Sequence, residues 1–268
     1  MPKDINILLI EDDPYARDLM GSLLTRDWRT RLVAEVGSED DVRRIINIPA
    51  QRIDAIILDA EVPGRPDWPW RVSDLVQGLT PSPQILCTAN HVDSETLKQV
   101  IARNFGGYLI KEEVGYALAA AVSQSTHRQR FILTPGVYRH ALEQRVTLPA
   151  HTWLLDGTRP VADLTRREAE IARLAILFNH SHRDLSDELL IRADQVSKNV
   201  SAIYTKLGLD SILNGEVAPE LLFEDVLVLE HFREILAQVA KQPSKRKSAD
   251  MATLAFHILT QPEIREII

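Results

Sequence analysis

The chain has 268 residues, a formal net charge of −7 and a hydrophobic share of 45%. This length predicts one large domain or two ordinary ones, and the composition is that of a globular protein. A single cysteine, Cys87, excludes an internal disulfide, and no apolar run approaches the roughly 20 residues of a membrane span. We therefore expect a cytoplasmic protein with no membrane partner, and the acidic balance argues against a protein that coats nucleic acid all over.

Residues 1 to about 112 alternate short apolar runs with helical patterns. Such alternation predicts an α/β domain whose parallel sheet carries helices on both faces. The predicted strands are Asn6–Ile10, Arg31–Val36, Ala55–Leu58, Gln84–Cys87 and Tyr108–Ile110. The predicted helices are Tyr15–Arg26, Ser38–Ile46, Trp70–Leu79, Ser94–Arg103 and the alanine-rich Val114–Gln124, which closes the domain.

Polar side chains stand where four of these strands end. Because parallel strands of an open α/β sheet end at the same edge, we expect these side chains to meet in one cleft. They are Glu11, Asp12 and Asp13 after the first strand, Asp59 after the third, Thr88 after the fourth and Lys111 after the fifth. Each has an ordinary alternative role, such as helix capping or solvation of a turn, but their joint placement favours a site.

Carboxylates, a hydroxyl and an ammonium are the groups that suit a divalent cation beside a phosphoryl group. We predict that Asp12 and Asp59 bind Mg²⁺ directly and that Glu11 binds it through water. The backbone carbonyl of Glu61 is a further predicted oxygen ligand. The sequence therefore predicts a magnesium site at which a phosphoryl group is transferred to Asp59.

The remaining polar groups are predicted to respond to that phosphoryl group. Lys111 pairs with the anion, and the Thr88 hydroxyl donates to a phosphoryl oxygen. Phosphorylation of Asp59 is then expected to draw Thr88 inward. Tyr108 lies three residues before Lys111 and is the aromatic ring expected to fill the vacated space.

Residues 1 to about 123 resemble the receiver domain of two-component response regulators. The motifs that carry the resemblance are ILLIEDDP, IILDAEVPG, ILCTAN and GGYLIK. The resemblance implies a flavodoxin-like α/β fold with a five-stranded parallel sheet, dependence on Mg²⁺ and phosphotransfer from a histidine kinase to Asp59. Glu61 adds a negative charge two residues after Asp59, so we expect altered phosphorylation kinetics rather than loss of phosphorylation.

Residues 124–163 mix turn residues with short apolar pieces, which predicts an interdomain linker with a short helix at Val137–Gln144. From Leu164 to Leu209 the pattern becomes fully helical. Thr165 and Glu168 have the spacing of a capping box. Gly208 stands where a C-terminal helix cap is expected.

Residues 164–209 resemble the LuxR/NarL-type helix-turn-helix domain through LTRREAEIARLAIL and SHRDLSDELLIRADQVSKNVSAIYTKLGL, with one extra residue in Phe178–Ser181. The resemblance implies an all-α DNA-binding domain with Ala193–Lys206 as its recognition helix. Lys198 and Asn199 are the predicted base contacts. The rest of the predicted DNA-binding face is Arg192, Ser201, Thr205 and Lys206.

This recognition helix is less basic than is usual in the family, because Ser197 and Asn199 stand where lysine and histidine are common. A helix-turn-helix domain kept for protein contacts is therefore the alternative. His180 and His182 form a His-x-His pair, for which a solvent-facing loop is favoured over a metal site.

Residues 210–268 form a predicted C-terminal helical extension. Pro219–Lys241 is amphipathic, which suits either an extra core helix of its own domain or a helix that binds a second copy or another partner. Gln242–Asp250 is polar and basic and predicts a flexible connector, in which Lys245–Lys247 either touch DNA or are solvated. A short helix is predicted at Ala252–Thr260.

Taken together, these features predict a response regulator that is not an enzyme. Phosphotransfer from a histidine kinase to Asp59 is expected to control whether the protein binds promoter DNA. That DNA is double-stranded, and a homodimer is expected to bind it. The alternative is a phosphorylation-controlled adaptor whose C-terminal helices bind a protein instead of DNA.

Overall fold

The computed structural model describes residues 4–160, 163–223, 226–239 and 244–268. The chain forms two compact units. We name residues 1–158 together with 262–268 the sheet unit, and residues 159–261 the helical unit. The chain thus leaves the sheet unit after residue 158 and returns to it for its last seven residues.

The sheet unit is built on one eight-stranded sheet. Its strands are β1 Ile5–Ile10, β2 Thr30–Val36, β3 Ala55–Asp59, β4 Gln84–Ala89, β5 Gly107–Ile110, β6 Phe131–Leu133, β7 Thr152–Thr158 and β8 Pro262–Glu266. They lie in the order β2-β1-β3-β4-β5-β6-β7-β8. Neighbouring strands pair in parallel except β7 and β8, which are antiparallel.

Seven helices accompany this sheet. They are α1 Pro14–Arg26, α2 Glu39–Ile46, α3 Trp68–Val76, α4 Ser94–Ala102, α5 Lys111–Val114, α6 Leu118–Arg128 and α7 Pro135–Glu143. The central strands carry unbroken apolar runs because both faces of the sheet are covered. Their side chains alternate between two buried clusters, with Leu8 and Ile56 on one face and Ile7 and Ile57 on the other.

The five strands predicted in the first 112 residues are confirmed as β1 to β5, but the sheet has eight strands rather than five. Residues 131–158 are therefore not a linker, because β6, α7 and β7 extend the sheet beyond β5. The short helix predicted at Val137–Gln144 corresponds to α7. The predicted linker also included residues 161 and 162, which lie outside the described residues.

The helical unit contains α8 Arg166–Ala172, α9 His182–Leu189, α10 Ala193–Lys206, α11 Leu209–Leu213, α12 Val226–Val239 and α13 Ser244–Leu259. The predicted capping box is present, since Thr165 and Glu168 cap each other at the start of α8. The predicted recognition helix is α10, with the same bounds. Gly208 follows it in a left-handed conformation at φ 75°, as expected of a helix-ending glycine.

The extra residue predicted in Phe178–Ser181 directly follows a change of helix type. A π-helix at Arg173–Leu177 continues directly from α8. The N–H of Phe178 donates to the carbonyl of Arg173 at 3.0 Å, a bond from residue i+5 to residue i. A π-turn accommodates one more residue than an α-turn, and this one immediately precedes the predicted extra residue.

The C-terminal extension supplies much of the core of the helical unit. Val228, Phe232 and Val239 of α12 are buried, and the rings of Phe223 and Phe232 lie 4.7 Å apart. This supports packing within the chain's own domain, although Leu221 is 77% exposed and leaves part of the apolar stripe uncovered. The predicted helix Pro219–Lys241 corresponds to a 3-10 turn at Pro219–Leu221 and to α12, and its residues 224, 225, 240 and 241 lie outside the described residues.

The final residues differ from the sequence prediction. Helix α13 begins at Ser244, so most of the expected flexible connector Gln242–Asp250 is helical. The side chains of Lys245–Lys247 lie outside the described residues. After α13, Pro262–Glu266 forms β8, where no element was predicted. Across the described residues, no helix combines the length and the apolar character needed to cross a membrane.

Candidate functional site

The predicted cleft forms at the carboxyl ends of four neighbouring strands, β1, β3, β4 and β5. Glu11 directly follows β1, Asp59 ends β3, and Thr88 lies opposite Asp59 in the β3–β4 register. Lys111 follows β5 and is the first residue of α5. Parallel pairing brings these strand ends to one edge, and the structure therefore places the predicted side chains side by side.

Three carboxylates and one ammonium group make up the centre of this site. Lys111 Nζ lies 2.7 Å from Glu11 Oε2 and 3.2 Å from Asp59 Oδ2. One carboxylate oxygen each of Glu11, Asp12 and Asp59 falls within a common distance of 4.8 Å. When all are ionised, three negative charges face one positive charge, so the cluster attracts a further cation.

The pKa values in the cluster move as crowded, buried charges should. Burial raises the pKa of Glu11, and the charge of Asp59 adds to this while Lys111 opposes it. Burial and Asp59 also raise the pKa of Asp12. Burial alone would lower the pKa of Lys111, but the carboxylates of Glu11 and Asp59 outweigh it and raise that pKa. Lysine is therefore held in its charged form between the two acids.

Backbone groups fix the acidic side chains in place. The N–H of Glu61 donates to Asp59 Oδ1 at 3.1 Å, and the N–H of Asp13 donates to Glu11 Oε1 at 3.3 Å. Asp13 is the N-cap of α1, where its carboxylate accepts from the N–H groups of Tyr15 and Ala16. Asp13 is therefore a helix-capping residue, and its backbone N–H also orients the Glu11 carboxylate.

The buried hydroxyl of Thr88 makes no hydrogen bond to any described residue. The residue is completely buried, and its Oγ1 has no hydrogen-bond partner among the described residues. An unsatisfied buried hydroxyl costs about 1–3 kcal/mol, so its retention favours a partner that arrives with the reaction. The hydroxyl stands on the strand beside Asp59 and is available to a group bound there.

Tyr108 is already in the interior. Its side chain is 1% exposed, and its hydroxyl donates to the carbonyl of His91 at 3.0 Å while accepting from the N–H of Asp93 at 3.3 Å. From the sequence, the ring is expected to enter the space that Thr88 vacates after phosphorylation. In this structure the ring instead ties down the loop between β4 and α4, and its role as a switch stays a prediction.

Glu61 points toward the same loop. Its carboxylate accepts from the N–H groups of Asn90 at 2.8 Å and His91 at 3.0 Å. Burial would raise the pKa of Glu61, but these hydrogen bonds hold it below its usual range. Its negative charge is therefore engaged by the loop that follows Thr88. An effect of Glu61 on phosphorylation kinetics, and a role of its carbonyl as a ligand, stay predictions.

The predicted DNA-binding face lies on α10 in the helical unit. Lys198 and Ser201 are exposed, and Asn199 Oδ1 accepts a hydrogen bond from Gln195 Nε2 at 2.9 Å. Arg192 Nε lies 3.0 Å from Asp194 Oδ1. Sequence reasoning did not single out Gln195, although its spacing of four residues from Asn199 places both amides on one helix face.

Two residues of the predicted DNA-binding face have partners within the helical unit. Lys206 Nζ lies 2.7 Å from Glu168 Oε2, so the lysine extends the capping box at the start of α8. Thr205 Oγ1 donates to Asp210 Oδ2 at 2.6 Å. These contacts compete with DNA phosphates, and the predicted DNA contacts of both residues stay predictions.

The His-x-His pair is divided between two interactions. His180 Nδ1 lies 3.3 Å from Glu188 Oε2, and His182 Nδ1 lies 3.0 Å from Ser197 Oγ. Within the described ranges, the metal-capable groups of three or more residues include only Glu11, Asp12 and Asp59. The histidine pair therefore joins α9 to its neighbours in the helical unit.

No family model matches the chain. Transcriptional regulatory protein DegU of Brevibacillus brevis is 24% identical over 236 residues, which cover 80% of this chain and 95% of that protein. The DNA-binding transcriptional activator DevR/DosR of Mycobacterium tuberculosis is 23% identical over 209 residues, which cover 77% of this chain and 89% of that protein. The chain is thus similar, over most of its length, to proteins named as transcription regulators.

Solved structures of response regulators are similar to it as well. Response regulator ChrA of a heme-sensing two-component system is 24% identical, with 76% of this chain and 90% of that chain covered and a TM-score of 0.39. The response regulator RcsB in a DNA complex is 15% identical, with 86% of this chain and 98% of that chain covered and a TM-score of 0.45.

Proposed function

We propose that this protein is a response regulator that controls transcription when it is phosphorylated. A histidine kinase transfers a phosphoryl group to Asp59, and this transfer changes how the helical unit binds promoter DNA. The observation that supports the proposal most is the cluster of Asp59, Lys111 and the partnerless Thr88 hydroxyl beside two further carboxylates. Its relatives are named as transcription regulators, which favours this function over a protein adaptor and over an enzyme.

The chemistry at Asp59 is nucleophilic substitution at phosphorus. A carboxylate oxygen of Asp59 forms a bond to phosphorus while the bond from phosphorus to the donor's imidazole nitrogen breaks, and the electron pair leaves with the imidazole. The Lys111 ammonium, held beside Asp59 at 3.2 Å, pairs with the phosphoryl oxygens. The Thr88 hydroxyl gains in these oxygens the acceptor that it lacks in the structure.

The donor set fits Mg²⁺, because three hard carboxylate oxygens lie close together and carry more negative charge than Lys111 neutralises. Glu11, Asp12 and Asp59 would hold the ion, with the carbonyl of Glu61 as a further oxygen. When bound, the ion neutralises the negative charges that otherwise repel the incoming phosphoryl group.

DNA binding is assigned to α10. Lys198 and Asn199 are the proposed base contacts, since lysine pairs with guanine and asparagine with adenine in the major groove. Arg192 and Ser201 are the proposed phosphate contacts, while Thr205 and Lys206 contribute only if they leave Asp210 and Glu168. Two copies of the chain would read the two halves of a symmetric site.

The test uses the full chain and a random pool of double-stranded DNA. We expect acetyl phosphate with Mg²⁺ to modify the wild-type chain at one residue, identified by mass spectrometry, and to enrich a defined DNA sequence. Asp59→Asn should abolish modification and leave selection the same with or without acetyl phosphate, whereas Asp13→Asn, in the helix cap, should still be modified. The proposal would be refuted if the wild type were not modified, or if the wild type selected the same DNA with and without the modification.

A further inference from the structure

Helix α7 does not use its own capping residue. Thr134 occupies the N-cap position with extended backbone angles, φ −89° and ψ 163°, yet its side chain makes no capping hydrogen bond. Its hydroxyl is turned to β5 instead, where it accepts from the N–H of Ile110 at 3.0 Å in a buried contact. A threonine at this position normally satisfies the free N–H groups of its own helix, so another group must do so.

Glu113 of α5 caps α7 in its place. The N–H of Gly136, in the first turn of α7, donates to Glu113 Oε1 at 3.0 Å and Oε2 at 2.9 Å. A Cβ atom on Gly136 would lie 2.8 Å from Glu113 Oε1, so a glycine permits this close approach. Glu113 of α5 thus caps α7, while the Thr134 hydroxyl accepts from the residue that precedes α5. We name the contacts of Thr134 with Ile110 and of Glu113 with Gly136 the cap exchange.

The cap exchange encloses the lysine of the phosphorylation site. Ile110 is the residue before Lys111, and Glu113 is two residues after it. Pairing of β5 with β6 covers only Gly107 and Tyr108, so the end of β5 depends on Thr134 for this contact. Helix α5 has four residues and no side-chain cap, which makes it too short to be stable alone.

We propose that Thr134 and Glu113 are positioning residues for Lys111. They hold the backbone on both sides of the lysine, and its side chain then spans from α5 to Glu11 and Asp59. The strands added beyond β5, together with α7, are by this inference part of the support of the reaction site. The inference rests on the proposed function of Asp59, because it assigns a purpose to the position of Lys111.

The experiment compares two ligands in the full chain. Mg²⁺ alone reports on the carboxylates, whereas beryllofluoride with saturating Mg²⁺ also requires the Lys111 ammonium. We expect Thr134→Val and Glu113→Ala to weaken beryllofluoride binding about tenfold, since a weakened hydrogen bond between charged groups has an effect of this size on affinity. Mg²⁺ binding should stay at the wild-type value, and Lys111→Met sets the scale of complete loss.

Two controls separate positioning from general damage. Glu112→Ala removes an exposed carboxylate from the same short helix and should leave both affinities unchanged. Thr134→Ser keeps the hydroxyl that Thr134→Val removes, so it should bind beryllofluoride as the wild type does. A defect of packing alone would not predict this result. If Thr134→Val does not fold, as judged by circular dichroism, Glu113→Ala decides by the same comparison.

The outcomes keep the two proposals apart. If the wild type binds beryllofluoride and Thr134→Val and Glu113→Ala bind it equally well, the positioning role is refuted and the proposed function is not. A parallel loss of Mg²⁺ and beryllofluoride affinity would also refute it, because the cap exchange would then support the fold and not the lysine. No binding of beryllofluoride by the wild type would refute the proposed function and the positioning role with it.

Discussion

At the scale of single residues, the two lysines of α10 differ, because Lys206 is paired within the helical unit and Lys198 is exposed to solvent. Lys206 lies 2.7 Å from Glu168 and 3.4 Å from the carbonyl of Asp163, so it joins α10 to the start of α8. Lys198 is exposed on the same helix, and no ion pair of it is found with any described residue. Two lysines of the same helix therefore have different expected roles, which mutation can separate.

Lys198→Ala is expected to weaken DNA binding and to reduce the slope of log affinity against log salt concentration by about one. Lys206→Ala should leave that slope unchanged and should instead lower the melting temperature, because it removes the partner of Glu168. Fluorescence anisotropy with a selected DNA duplex at several salt concentrations measures the slope. Equal loss of slope in both variants would show that Lys206 leaves Glu168 for the DNA.

The partner residue Glu168 gives a dependence on pH. Hydrogen bonds from Lys206 and Thr165 lower the pKa of Glu168 from its ordinary 4.5 to about 2. Because the folded state has the lower pKa, the carboxylate stabilises the helical unit above about pH 4.5, and this stabilisation disappears as pH falls toward 2.

Glu168→Gln should therefore lower the free energy of unfolding at pH 7 relative to the wild type, and the difference should shrink as pH falls through that window. Denaturant unfolding at several pH values measures it. Ala202→Ser, at an exposed residue of α10, changes no ionisable group and is the control, so its effect on the free energy of unfolding should stay the same across that window. A difference that stayed constant down to pH 3 would contradict the assigned role of the Glu168 carboxylate.

At the scale of elements, the sequence predicts what is periodic and buried. Strands β1 to β5 are apolar runs bounded by helices, and the polar residues at their ends predict the cluster at Asp59. Strand β6 has only three residues, too few to show a period. Strand β7 contains Asp156 and Gly157, and β8 reads PEIRE with mostly exposed side chains. Such strands are defined by their neighbours in the sheet, which no local pattern records.

The same limit explains which parts of the site could be predicted. Side chains that follow strands, such as Lys111 and Thr88, are found by their position in the pattern. The cap exchange is not, because Thr134 reads as an ordinary helix start and Glu113 as a surface acid. The contact of Thr134 with Ile110 joins residues 24 positions apart, and that of Glu113 with Gly136 joins residues 23 positions apart. Both contacts exist only because α7 begins beside α5.

At the scale of the whole molecule, the helical unit is an insertion between two paired strands. Strand β7 ends at Thr158 and β8 begins at Pro262, and these two residues are partners in the antiparallel register. The N–H of Arg159 donates to the carbonyl of Gln261 at 2.8 Å, which extends the pairing to the first and last residues of the insertion. The chain thus holds the helical unit at both of its ends.

Removal of residues 262–268 tests what this second attachment contributes. The deletion leaves β7 without a partner on its outer side and exposes Trp153 and Leu155, which pack near Ile264 or pair with it. An unpaired edge strand with apolar side chains associates with other chains, so we expect assemblies larger than those of the full chain. We also expect a melting temperature lower by about 4–8 °C, the shift that follows from a loss of about 2 kcal/mol in a protein of this size.

Light scattering coupled to size exclusion measures the mass, and calorimetry the melting temperature. Glu263→Ala keeps β8 and changes one exposed side chain, so it should match the full chain in both. A deletion from Asn214 onward is a poor substitute, because it also removes Phe232 and Leu254 from the core of the helical unit. If the shorter deletion changed neither mass nor melting temperature, β8 would be dispensable, and one covalent connection would suffice to hold the inserted unit.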